Sequence, residues 1–149
     1  MRTKQNITRL LNIFLFLYLH SAFANTATPI GLWQTLDDDT GKPASLIRIS
    51  EKNGKFYGVI EKLLDPNLQT SVCEKCAGVH KDQPLIGMTI LQGVQQKSDG
   101  YEGGEILDPD NGKIYQCKFK LINDGKKLEV RGYIGSALFG RIQIWLREE

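Results

Sequence analysis

The sequence predicts an all-β protein, a single antiparallel meander of about eight strands that closes into a barrel. Short apolar segments recur between residues 31 and 147, and strong turn sequences separate most of them. A meander of this length must protect its two edge strands, and closure into a barrel does so. A two-sheet sandwich is the structural alternative, but the short connections favour the barrel.

The first four strands are read from the turns that bound them. Asp37 to Pro43 is rich in turn-forming residues, and Asn53-Gly54 is typical of a tight hairpin. Residues 65–84 form the longest irregular segment, with room for a short helix, and Gly87 and Gly93 mark bends or bulges in the segment that follows. The expected strands are therefore 31–36, 45–51, 56–64 and 85–95.

The second half of the chain repeats this pattern. Turns are expected at Ser98 to Gly100, at Asp108 to Gly112 and at Asn123 to Gly125, with a short link over residues 135–140. The strands between them are 101–107, 113–121, 127–134 and 141–147. Neither a repeat nor a second domain is apparent in the sequence.

The amino terminus has the three parts of a secretory signal peptide. Basic residues open the chain, an apolar run extends over residues 10–19, and Ala22-Phe23-Ala24 supplies the small residues that a signal peptidase needs. The apolar run is too short to span a bilayer, so we expect no integral membrane segment. We predict a cleaved signal peptide at 1–24, a flexible lead at 25–30 and the barrel domain at 31–149, exported to the periplasm or secreted.

Charge excludes some partners. The signal region holds three of the 19 basic residues and none of the 17 acidic ones, so the rest of the chain is close to neutral. A near-neutral domain without a basic run offers no electrostatic case for binding to nucleic acid or to an anionic membrane. His80 is the only histidine beyond the signal region, which leaves little scope for histidine-based catalysis.

The three cysteines fit an exported protein. Cys73 and Cys76 have the spacing of a thiol-redox motif or of half a zinc site, but redox chemistry expects a βαβ unit, and zinc needs two more ligands from His80 and Cys117. We expect a Cys73–Cys76 disulfide, and the redox and metal interpretations stay open. Cys117 alternates with apolar residues on one strand, which predicts a buried free thiol; a link to the 73–76 loop is the other option.

The polar residues do not form a recognisable catalytic set. The acidic run Asp37 to Asp39 lacks the spacing of a calcium loop, so we expect its side chains to bond nearby backbone amides. No serine lies in a Gly-x-Ser-x-Gly context. We therefore expect a non-catalytic protein without cofactor or metal, and a weak hydrolase or thiol enzyme remains the third alternative.

The last two strands each present an aliphatic face and a mixed face. The mixed faces carry Arg131 and Tyr133 on one strand and Arg141 and Trp145 on the other. If they point inward, these four side chains line a pocket with apolar walls and a few polar groups. If the aliphatic faces point inward, the interior is a dry core. We expect the aliphatic arrangement, because exposing isoleucine and leucine to water costs more than turning arginine inward.

A series of short motifs resembles one bacterial family. They include Gly31-x-Trp33, Cys73-x-x-Cys76 and Gly140-Arg-x-Gln-x-Trp145, and others of the same series lie between them in family order: residues 38–43, 84–88, 104–109, 111–115 and 130–135. The chain is identified on these as a member of the exported domain-of-unknown-function family 2147. The resemblance covers residues 31–147 and implies a calycin-type barrel but no activity.

A looser similarity links the chain to lipocalin-like barrels. There, a Gly-x-Trp on the first strand and an arginine on the last strand close one end, which implies that Trp33 lies beneath Arg141 or Arg147. We accordingly expect a small apolar or amphipathic ligand, bound by Trp33, Arg131, Tyr133, Arg141 and Trp145. The alternative is a protein-interaction module of the cell envelope with a filled core.

Overall fold

The computed structural model describes residues 27–148, so the predicted signal peptide and its cleavage site lie outside the described residues. The architecture is an antiparallel eight-stranded closed barrel, as predicted. Its strands are β1 (Gly31–Leu36), β2 (Pro43–Lys52), β3 (Lys55–Leu63), β4 (Thr89–Lys97), β5 (Gly100–Asp108), β6 (Lys113–Ile122), β7 (Lys127–Tyr133) and β8 (Arg141–Glu148).

Closure of the sheet removes the sandwich alternative. Each strand pairs with the next in the chain, and β8 returns to β1 through the pair Trp33↔Arg147. Because hairpin connections alternate between the two ends of a meander, the barrel has two distinct ends. The closed end carries residues 27–30 and the turns at 53–54, 98–99 and 123–126, and the mouth carries the connections 37–42, 64–88, 109–112 and 134–140.

The turns at the closed end follow from sequence chemistry. Asn53 and Gly54 adopt φ of 55° and 74°, the left-handed pair that a tight hairpin requires and that Asn-Gly adopts readily. Each of these turns consists of polar residues and glycine.

The connection between β3 and β4 is longer than predicted. β4 begins at Thr89 rather than at Leu85, because Gly87 takes a left-handed φ of 89° and donates its N–H to Ile60 O. Residues 64–88 contain two short 3-10 helices, Pro66–Leu68 and Gly78–His80, and an isolated bridge between Val72 and Pro84. None of the helices in residues 27–148 is long and apolar enough to cross a membrane.

Residues 28–30, which belong to the predicted flexible lead at 25–30, are attached to the barrel. Pro29 is buried, and its carbonyl accepts the indole N–H of Trp33 at 2.8 Å. Thr28 O and Ile30 O accept hydrogen bonds from the Arg147 guanidinium. Residues 28–30 therefore form part of the closed end, a contact that local sequence did not indicate.

Candidate functional site

The closed half of the barrel is filled. Its plug is Trp33, which is fully buried beneath the guanidinium of Arg147, 4.2 Å from the ring centroid. Above this plug, Phe56 packs edge-on against Tyr101 at 5.0 Å, and Tyr101 stacks on Phe119 at 4.9 Å. These aromatic side chains fill the closed half of the barrel.

One wall of the mouth half is lined by small residues. Gly104 on β5 pairs with Cys117 on β6, and Cys117 pairs with Gly132 on β7, so three small residues lie side by side across the wall. The inward-facing Ile106 and Tyr115, which pair with each other, are only partly buried. The closed end is therefore packed, whereas Ile106 and Tyr115 keep partial contact with solvent at the mouth.

The inner polar groups of the mouth half satisfy one another. Thr35 Oγ1 lies 2.7 Å from Ser45 Oγ, and the Trp145 indole donates to Gln143 Oε1 at 3.1 Å. Every buried side-chain nitrogen and oxygen in the described part of the chain has a hydrogen-bond partner. A molecule that enters the mouth thus meets no unpaired polar group at depth, which favours an apolar inserted portion.

A polar chain crosses the rim of the mouth. Gln143 donates from Nε2 to Asp38 Oδ1 at 3.0 Å, which joins β8 to the β1–β2 connection. Arg141 forms an ion pair with Asp38 and contacts Asp108 Oδ2 at 3.2 Å. Asn111 then bonds both Asp108 Oδ2 and the hydroxyl of Tyr115. Arg141 therefore ties two connections of the mouth to the last strand.

The rim is electrostatically crowded. Partial burial, together with the carboxylates of Asp108, Asp37 and Asp39, raises the pKa of Asp110, whereas Lys75 lowers it. Asp37 itself accepts hydrogen bonds from the hydroxyl and N–H of Thr40, which lower its pKa. The acidic run thus bonds a nearby backbone amide, as the sequence predicted.

The predicted four-residue pocket does not form, because β7 and β8 present opposite classes of face to the interior. Leu128 pairs with Trp145 and both are buried, so the aliphatic face of β7 and the mixed face of β8 point inward together. The expectation of an aliphatic interior is confirmed for β7 and wrong for β8. Burial of the large Trp145 ring outweighs the partial exposure of Ile142 on the outer face.

The predicted ligand-binding residues consequently separate into three places. Arg141 and Trp145 lie on the inward face of β8, at and below the mouth. Arg131 pairs with Ile142 on the outer face and donates to Ala137 O at 2.7 Å, and Tyr133 shares that face. Trp33 lies in the closed-end plug. Sequence reasoning overlooked Gln143 and Asp38, whose contact joins residues 105 positions apart.

The cysteines pair as predicted. Cys73 and Cys76 form a disulfide, and Cys117 is a free, buried thiol. The lobe at residues 71–85 is held by Cys73, whose N–H donates to Gln83 O and whose carbonyl accepts from Asp82 N–H. Within residues 27–148, no group of three or more histidine, cysteine or acidic side chains has an arrangement that could hold a metal ion.

The comparisons with known proteins agree with this architecture. The family model described as "Uncharacterized protein conserved in bacteria (DUF2147)" matches residues 31–147, so the chain belongs to this bacterial family. No curated relative matches it significantly. Among solved structures, it is similar to protein HP1028 from the human pathogen Helicobacter pylori, described as belonging to the lipocalin family. The TM-score is 0.73 at 22% identity, over 83% of this chain and 85% of that one.

Proposed function

We propose that the protein is an exported, non-catalytic binding protein of the cell envelope that takes a small apolar or amphipathic molecule at the mouth of its barrel. The observation that carries the proposal is the difference between the two halves of the interior. The closed half is plugged by Trp33 beneath Arg147, whereas the β5–β7 wall of the mouth half combines small residues with the partly exposed Ile106 and Tyr115. A concave apolar site with a few placed polar groups is typical of small-ligand binding.

The polar groups define the chemistry of the ligand. Because Thr35, Ser45 and the Trp145 indole already have partners, the inserted portion has no need of hydrogen-bonding groups. The rim offers Asp38, Arg141 and Gln143 to a polar end. In this proposal, Trp145 forms the apolar floor and Arg141 meets the polar end, whereas Trp33 acts through closure of the barrel.

Export is the second part of the proposal. It is supported by the leader pattern at 1–24, by the bacterial family and by the Cys73–Cys76 disulfide, which persists in oxidising compartments. Intact-mass analysis of the protein recovered outside the cytoplasm should give a chain that begins at Asn25. A retained leader would contradict this part.

Ligand binding is tested with two matched isoleucine variants. Ile106→Trp fills the mouth half from β5, whereas Ile144→Trp adds the same ring to the outer face of β8, opposite Glu129. The probe is N-phenyl-1-naphthylamine, whose fluorescence rises in apolar surroundings. We expect saturable binding to the unmodified protein, retained in Ile144→Trp and weakened at least about tenfold in Ile106→Trp.

The alternative is an interaction module with a filled core. It is supported by the packed closed half and by two depressions outside the barrel, of about 650 Å³ over β5–β7 and about 530 Å³ beside β3 and β4. Absence of probe binding, or equal binding by both tryptophan variants, would overturn the mouth site and favour this alternative.

A further inference from the structure

The β7–β8 connection is the most exposed apolar segment of the mouth. Ile134, Leu138 and Phe139 are 72%, 84% and 90% exposed, and no charged residue lies between Arg131 and Arg141. We call residues 134–140 the apolar loop. Contiguous exposed apolar side chains on a folded domain indicate an interaction surface.

Apolar exposure is concentrated at one end of the molecule. In residues 27–148, four large apolar side chains are more than 70% exposed: Val79 and the three of the apolar loop. All four lie on mouth connections, whereas the closed-end turns are polar. The mouth is therefore the end suited to an amphipathic surface.

The fold holds the apolar loop in a defined shape. Ser136 Oγ accepts the N–H of Leu138 at 3.3 Å, and Arg131 Nη1 donates to Ala137 O at 2.7 Å. Gly140 lies so close to β7 that an added Cβ would be 2.7 Å from Gly132 O. Leu138 and Phe139 are thus presented to water by a fixed short helix, Ala137–Phe139.

Cations lie beside the loop on the outer face. Arg131 pairs directly with Lys118 on β6, and both line the 650 Å³ outer groove together with Leu138. The same groove also contains Asp99, Glu102 and Glu129, and Glu129 forms an ion pair with Lys120 at 3.4 Å. No described residue forms a salt bridge with Lys118 or Arg131 in residues 27–148.

We propose that the apolar loop docks the barrel onto a lipid bilayer, with Leu138 and Phe139 in the interfacial region and Lys118 and Arg131 near anionic headgroups. The strength of interfacial binding rises with the apolar area that is buried and with the attraction between basic side chains and anionic lipids. A stable protein interface would instead bury about 800 Å² on each side, whereas the exposed apolar surface of the loop comes from three large side chains.

The distribution of charge sets the approach. Five aspartates, residues 37–39, 108 and 110, lie at the β1–β2 connection and the β5–β6 turn, and they outnumber Arg141 and Lys75, the cations that contact them. An anionic surface would repel that side. The barrel is therefore expected to tilt, so that the β6–β7 side and the apolar loop face the lipid. Docking in this orientation needs no ligand in the barrel.

The test is co-sedimentation with vesicles of phosphatidylcholine alone and of equal parts phosphatidylcholine and phosphatidylglycerol. We expect binding to both, stronger on the anionic vesicles. The double variant Leu138→Ser/Phe139→Ser should bind at least about tenfold more weakly to both. Val79→Ser, which changes an equally exposed side chain on another connection, should bind like the unmodified protein.

A charge variant separates the two contributions. Lys118→Gln should weaken binding several-fold on the anionic vesicles and leave the neutral ones unchanged, because it removes one basic side chain near the surface. Failure of the unmodified protein to sediment with either vesicle would overturn the proposal, as would equal losses in Val79→Ser and the double variant.

Two further readouts keep the outcomes distinct. If the protein ignores vesicles but forms a dimer that the double variant abolishes in sedimentation velocity, the loop contacts a second copy instead of lipid. Probe binding without vesicles, compared between Ile106→Trp and Ile144→Trp, reports the mouth site alone. Docking and ligand binding can therefore fail separately.

Discussion

The guanidinium of Arg147 covers the ring of Trp33 and bonds three backbone carbonyls around it. It lies 4.2 Å from the ring centroid and donates from Nε to Gly125 O, from Nη1 to Ile30 O and from Nη2 to Thr28 O. One side chain on the last strand thus joins the first strand, the segment before it and the β6–β7 turn.

Loss of this side chain should open the closed end. We expect Arg147→Ala to lower the free energy of unfolding by about 2–4 kcal/mol, since it removes a cation–π contact and leaves carbonyls without donors. Arg147→Lys should recover only part of this, because an ammonium cannot reproduce the planar set of donors.

Urea denaturation checks this prediction, with Arg48→Ala as the matched control. Arg48 pairs with Glu61 at 2.7 Å on the outside of the barrel, where both side chains are nearly half exposed. Exposed ion pairs contribute at most about 1 kcal/mol. Similar losses in the two arginine variants would contradict a special role for Arg147.

The architecture was predictable because turn chemistry is local. Asn53-Gly54 and the other short turns determine where each strand ends, and the barrel follows from the number of strands and their edges. The packing of an arginine over Trp33 was also predictable, because the looser lipocalin-like pattern places an arginine of the last strand there. The sequence did not distinguish Arg141 from Arg147 in this role.

The mouth was less predictable because it depends on register. Alternation gives each strand two faces but does not say which faces inward, and a shift of one residue exchanges them. Trp145 was the available signal, since a tryptophan on a mixed face competes with Ile142 and Leu146 for the interior. The contact between Asp38 and Gln143 joins distant parts of the chain, and no local pattern carries it.

Gly112 should be essential for the packing of the lobe at residues 71–85, which contains the disulfide. Its φ is 72°, and an added Cβ would fall on the backbone carbonyl of Lys75. Gly41 has a similar φ of 68°, but nothing lies within 4 Å of its Cβ position. Gly41→Ala thus reports the backbone strain alone, about 1 kcal/mol.

The difference in stability between Gly112→Ala and Gly41→Ala measures the cost of the contact between position 112 and the backbone of Lys75. We expect Gly112→Ala to cost about 2 kcal/mol more than Gly41→Ala, because the lobe must move away from the β5–β6 turn. Thermal or urea unfolding provides the comparison, and faster hydrogen exchange over residues 71–85 should accompany the loss. Equal destabilisation by the two variants would mean that the lobe moves away from the β5–β6 turn without a loss of stability.

The disulfide should stabilise its own lobe more than the barrel. Cys73 and Cys76 are three positions apart, so the bond closes a short loop and contributes at most about 2 kcal/mol of chain entropy. The double variant Cys73→Ser/Cys76→Ser should leave the barrel folded and increase hydrogen exchange at residues 71–85. Non-reducing peptide mapping of the unmodified protein should give the 73–76 linkage, and a peptide linked through Cys117 would contradict this pairing.

Cys117 should make the protein sensitive to alkaline pH. Burial in the barrel wall raises the pKa of this thiol from 9.0 to about 12. The unfolded chain therefore loses the proton first as the pH rises above about 9, and the folded state keeps it. The contribution of the thiol to stability is fully present below that pH and is lost as the pH rises toward 12, by about 1 kcal/mol per pH unit.

Cys117→Ala isolates this effect from the lysines and tyrosines that titrate over the same range. Removal of the buried sulfur should lower the free energy of unfolding at pH 8. The difference in this free energy between Cys117→Ala and the unmodified protein should be smaller by about 1 kcal/mol at pH 10. Urea midpoints at the two pH values measure this difference. The native thiol should also resist Ellman's reagent at pH 8, because the thiolate is the reactive form. A difference that stays constant with pH, or rapid labelling of the folded protein, would show that the thiol ionises without unfolding.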